Sequence, residues 1–165
     1  MTPSQPTVEV KGIEDLLKNF DKYSAETQKK ITDSILLTAI NVRTDAMRSM
    51  KASPASGATY TRRSVTHTAS SPGAAPRIDT GRLFNSIRWV ASATEAVVGV
   101  FGAMDLKGGI TNKSEGIGDG TRSTYAAALE FGTKNMEARP FLFPAFEKER
   151  RNFFRRITET LRAAK

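Results

Sequence analysis

The sequence predicts an α+β fold in a single domain over residues 1–165. A small antiparallel β-sheet packs against a long helix in the N-terminal half and a C-terminal helix, and two long flexible loops stand off this core. Three observations lead there. Apolar residues recur at three- and four-residue spacing across 24–50 and again across 144–164, the period of a helix with one buried face. Two short runs rich in β-branched residues, 87–93 and 96–102, flank a polar Thr94-Glu95 pair and read as a β-hairpin. Residues 51–77 and 102–124 are crowded with Gly, Ser and Thr and offer no apolar face to a core.

Taken in order, residues 1–7 are polar with two prolines and form a loose tail. Residues 8–11 alternate apolar and charged and suit a short edge strand. Gly12 ends it, and Ile13, Leu16, Leu17 and Phe20 mark a short amphipathic helix. Ser24 is a good N-cap for the long helix, whose inner face would carry Ile31, Ile35, Ala39, Val42 and Ala46. Leu36, Ile40 and Met47 flank that face. At about 25 residues, such a helix spans about 37 Å.

Residues 51–77 hold Gly57, Gly73 and three prolines and are read as a floppy linker, or as an arm that orders against a neighbouring subunit through Tyr60, Arg62 and Arg63. Asp79 or Thr80 can cap a helical turn over 81–86, with Leu83 and Ile87 pointing inward. The second long loop, 102–124, has glycines without the Lys-Ser/Thr ending of a phosphate loop and acids without calcium-loop spacing.

The stretch from Tyr125 to Glu147, YAAALEFGTKNMEARPFLFPAFE, is an architectural corner. Gly132 ends a short helix by taking positive φ. Pro140 drives Arg139 toward extended geometry, and Pro144 fits the first turn of the next helix. Phe141, Phe143 and Phe146 gather apolar area between the two helices, each worth roughly 1.5–3 kcal/mol if buried. Glu130 is expected to be partly buried, with Arg82 or Arg139 as its charge partner. In the final helix Phe146, Phe153, Ile157 and Leu161 line one face, Glu147 and Arg151 form an i,i+4 pair, and Arg151, Arg155, Arg156 and Arg162 form either a solvated face or a contact for DNA or an acidic partner.

Composition removes several chemistries. There is no Cys, so disulfides, thiolate nucleophiles and Cys-ligated zinc are excluded. The lone His67 sits in a loop without clustered carboxylates, which argues against a catalytic or metal role, and no cofactor is expected. No apolar run approaches the roughly 20 residues that cross a bilayer, so no membrane partner is expected. The formal net charge of +8 calls for a polyanion or an acidic protein surface.

Two blocks carry a family resemblance. Tyr125-Ala126 with Glu130-Phe131-Gly132-Thr133, then Arg139-Pro140-Phe141-Leu142 and Pro144-Ala145, resembles the signature of the tail-completion, or head–tail joining, proteins of long-tailed bacteriophages. Upstream, Asp79-Thr80-Gly81-Arg82-Leu83 with Ser86-Ile87 resembles that family's second block, at about the expected distance. The resemblance implies a non-enzymatic structural virion protein, assembled in the host cytoplasm. Its subunits would form a homo-oligomeric ring, by expectation a hexamer, in the neck between the tail tube or tail terminator and the head-closure or connector proteins. The basic charge adds nonspecific contact with passing DNA, and a basic nucleic-acid-binding protein is the alternative reading.

Overall fold

The computed structural model describes residues 18–62, 64–101 and 120–164. These form an α+β fold with four helices and two separate antiparallel hairpins. The tail, the edge strand and most of the short helix expected before residue 18 lie outside the described residues. Phe20–Lys22 forms a 3-10 turn leading into the first long helix.

Helix α1 (Ala25–Ala52) starts where Ser24 caps it, its hydroxyl accepting from the Thr27 amide. The inner face is the expected one: Ile31, Ile35, Ala39, Val42 and Ala46 are buried, and the stripe extends to Met50. The first hairpin, β1 (Thr59–Arg62) and β2 (Val65–Thr68), occupies a stretch whose composition predicts no structure. A short helix α2 (Arg82–Ser86) then leads into the second hairpin, β3 (Ile87–Ala91) and β4 (Ala96–Val100). Neither Asp79 nor Thr80 caps α2 closely. Gly81 occupies the cap position at φ 75° without a side-chain cap, and the Thr80 hydroxyl is 3.5 Å from the Arg82 amide.

Helix α3 (Gly120–Phe131) begins five residues ahead of Tyr125, taking the end of the expected second loop. Residues 102–119 of that loop lie outside the described residues. Helix α4 (Leu142–Ala163) follows the corner and packs along α1.

Two apolar clusters hold these elements. The larger joins Val42, Ala46 and Met50 of α1 to Ile87, Val100, Leu129, Phe141 and Leu142, with Leu83 and Phe146 packed against it. The smaller sets Ile31 and Ile35 against Phe153 and Ile157, which is how the distant α1 and α4 stay side by side. Polar ties fix their register. Asn41 donates to Glu149 at 3.1 Å, Arg156 to the Thr38 hydroxyl at 2.7 Å, and Lys148 to Asp45 at 2.7 Å. On its other side α1 meets the second hairpin, where Arg43 Nε donates to the Ile87 carbonyl at 2.9 Å.

Candidate functional site

The two resembling blocks share the larger apolar cluster, where Leu83 and Ile87 of one lie with Leu129, Phe141 and Leu142 from either side of the corner between α3 and α4. Gly132 ends α3 at φ 76°, as its position requires. A Cβ there would lie 2.9 Å from the Met136 carbonyl oxygen and 3.0 Å from the Ala138 amide, so only glycine fits the tight return. The Arg139 amide then donates back to the Leu129 carbonyl at 2.6 Å, satisfying one of the orphan acceptors at the end of α3.

Glu130 is buried, at 4% exposure, but neither expected arginine is its partner. Its carboxylate closes the start of α4 instead. One oxygen accepts from the amides of Phe141 and Leu142 at 3.0 and 3.1 Å, and the other accepts from Phe143 at 2.7 Å. The first N–H groups of a helix have no intrahelical partner, and the helix dipole favours an anion beside them. Hydrogen bonds to a charged acceptor contribute about 1.5–3 kcal/mol each. In place of the expected internal ion pair, an N-cap supplied from the preceding helix satisfies the same buried charge.

Arg139 and Arg82 are used otherwise. Arg139 Nε donates to the Ser70 carbonyl at 3.1 Å, and the Gly73 amide donates to the Ala138 carbonyl at 2.9 Å. The corner therefore anchors the root of the first hairpin. Arg82 is exposed. Tyr60, expected to reach a neighbouring subunit, lies beside His67 with ring centroids 5.3 Å apart. Its hydroxyl donates to Asp79 at 3.4 Å, and His67 Nδ1 lies 3.8 Å from the same carboxylate. Arg62 is exposed near the hairpin tip, and Arg63 lies outside the described residues. Partial burial and the charge of Asp79 push the Tyr60 and Tyr125 hydroxyls above the ordinary tyrosine range.

Glu130 and Arg139 are engaged inward and Thr133, Lys134, Asn135 and Glu137 are exposed, and beside them the corner presents aromatic rings outward. Phe131 is 64% exposed, Tyr125 56% and Phe143 51%. The expected burial of Phe143 is not found. The Phe141 side chain fills the core, and Phe143, two residues further on, projects away from it, while Phe146 is partly buried. Phe131 follows the capping Glu130, and Phe143 supplies one of the amides that Glu130 holds, so these two exposed rings flank one hydrogen-bonded junction. Pro144 stands in the first turn of α4, as expected.

The arginines of α4 separate into two groups. Arg156, expected to face a partner, is partly buried and engaged within the chain, 4.0 Å from Glu149 and bonded to Thr38. Arg151, Arg155 and Arg162 are exposed. Glu147 pairs with Arg150 at 3.2 Å, three residues on, rather than with Arg151.

Among the described residues no three His, Asp or Glu side chains gather in a way that could hold a metal ion, and no helix is long and apolar enough to cross a membrane. No family model, curated protein or solved structure matches the chain.

Proposed function

We propose that this chain is a structural assembly subunit of the tail-completion type, joining a phage tail to its head as one member of a ring. The observation that carries the reading is the corner itself. The block that resembles the family signature turns its Glu130 carboxylate inward onto the start of α4 and its rings Tyr125, Phe131 and Phe143 outward. Exposed aromatic residues on a rigid frame are a common basis of protein–protein contact. A catalytic reading has no comparable support, because no nucleophile with a poised base stands out among the described residues. Head-to-tail contact between such subunits closes into a ring when the rotation permits.

Electron microscopy of particles from a strain lacking this protein is the test. Separate, fully formed heads and tails are the expected result. Joined, infectious particles would exclude the role.

A further inference from the structure

The outer face of α4 carries a charge pattern that its neighbours do not neutralise. Arg151, Arg155 and Arg162 are all exposed. At about 100° per residue they fall in one narrow stripe, with Arg155 about 6 Å and Arg162 about 16 Å along the axis from Arg151. The adjacent cations are already engaged: Lys148 with Asp45 at 2.7 Å, Arg150 with Glu147 at 3.2 Å, and Arg156 with Thr38 and Glu149. Among the described residues no carboxylate lies within ion-pair distance of the three stripe arginines. One exposed acid, Glu159, shares the stripe, a helical turn beyond Arg155.

We infer that this stripe is a contact for the phosphate backbone of double-stranded DNA, reading no base sequence. Three features favour that partner. Guanidinium forks match phosphate oxygens in bidentate fashion. The stripe has no exposed aromatic side chain on which an unpaired base could stack, and such stacking is what single-strand binding relies on. It also has no exposed apolar anchor of the kind that centres a protein interface. Among the described residues the exposed large apolar side chains, Leu37, Ile40, Tyr60, Val65, Tyr125, Phe131 and Phe143, all lie off it. Phe154 beside the stripe is partly buried and turned edge-on to Phe153. The contact is separate from the assembly reading, since it belongs to the single chain and is measured without any ring.

The test is a salt titration of the purified full-length protein against a random-sequence duplex of about 30 base pairs, between about 50 and 200 mM salt. The unaltered protein should bind with log affinity falling linearly in log salt. The combined variant Arg151→Gln, Arg155→Gln, Arg162→Gln should bind at least tenfold more weakly at the low-salt end. Its salt slope should flatten by about 2–3, at about 0.9 for each phosphate that is no longer neutralised. Glu159→Gln should tighten binding, whereas Arg150→Gln, which removes a cation already paired, should change it little. An unmeasurable affinity at low salt would overturn the inference, as would an unchanged slope in the triple variant. Tighter binding to single strands would also count against it. So would a poly-glutamate chain that binds as well as DNA with the same arginine dependence, which would assign the stripe to an acidic protein instead.

Discussion

The two hairpins have the same topology and nearly the same length, yet they are held by different forces. In the second, Ile87 and Val100 are paired across the strands and are both buried in the main core, and α1 covers the sheet. In the first, every residue of β1 is exposed. Its strands are tied by hydroxyl pairs, Thr59 with Thr68 at 2.8 Å and Thr61 with Thr66 at 3.1 Å. Its hold on the molecule comes from the root. The Gly57 amide donates to Ala69 at 2.8 Å, Ser53 donates to Ala75, Arg139 reaches Ser70, and Tyr60 reaches Asp79. A two-stranded hairpin is marginal by itself in water. The second is stable because it is part of the core; the first, because the corner grips its base.

That contrast can be broken in four ways. The largest effect should come from Ile87→Ala, which empties a fully buried position shared by the sheet, α1 and the corner. A loss of about 3–4 kcal/mol and about 10 °C in melting temperature is expected. A loss below about 1 kcal/mol would show that burial is not what holds the second hairpin.

Glu130→Ala comes next, at about 3 kcal/mol, since three amides at the start of α4 lose their acceptor together. Glu130→Gln should be milder, because the amide keeps one acceptor oxygen. Amide exchange should show the first hairpin losing protection before the second, because its root hangs on the same corner. Equal loosening of both hairpins would contradict that order.

Gly57→Ala should cost about 2 kcal/mol, limited by the free energy of undocking one hairpin. A Cβ there would sit 2.3 Å from the Ser70 carbonyl oxygen, a backbone atom that cannot yield cheaply. Only β1 and β2 should gain exchange, and melting of the core should stay close to wild type. A fall in core stability as large as that of Ile87→Ala would merge the two hairpins into one unit.

The smallest effect is a pH effect. The Tyr60 hydroxyl is raised, first by burial and then by the charge of Asp79. The folded form therefore holds its proton more tightly than the unfolded chain, so this stabilisation is complete below the unfolded value near 10 and is lost as pH rises past it. Alkaline titration should loosen β1–β2 slightly more than β3–β4, and Tyr60→Phe should remove the difference. A difference that persists in the variant would place the titrating group elsewhere.

What is legible in the sequence follows the same division. Burial writes itself as periodicity: the inner faces of α1 and α4, and the two strands of the second hairpin, are readable because apolar residues recur at the period of each element. Gly132 is readable because a helix end requiring positive φ selects for it. The first hairpin is not, because Thr, Tyr, Arg and His side chains without an apolar face resemble a loop, and its root bonds join residues as far apart as Ser70 and Arg139. The burial of Glu130 follows from its apolar neighbours, while its partner escapes a reading of side chains because that partner is backbone, 11 to 13 residues away. Phe143 departs from expectation for a simpler reason: with Phe141 filling the core, the ring two residues on has to point elsewhere.

The pairing of α1 with α4 also sets the order in which the chain can fold. Asn41 and Glu149 are 108 residues apart, and Thr38 and Arg156 are 118 apart. During synthesis α1 leaves the ribosome long before its cover exists. Its C-terminal half can collapse onto the second hairpin once residue 100 has emerged, whereas the cluster of Ile31 and Ile35, with Phe20, Tyr23 and Ala96 already at hand, is completed only when Phe153 and Ile157 arrive. Contacts of such long range slow folding and leave apolar surface open to the wrong neighbours. The N-terminal half of α1 is thus where a nascent chain of this protein would most need a chaperone.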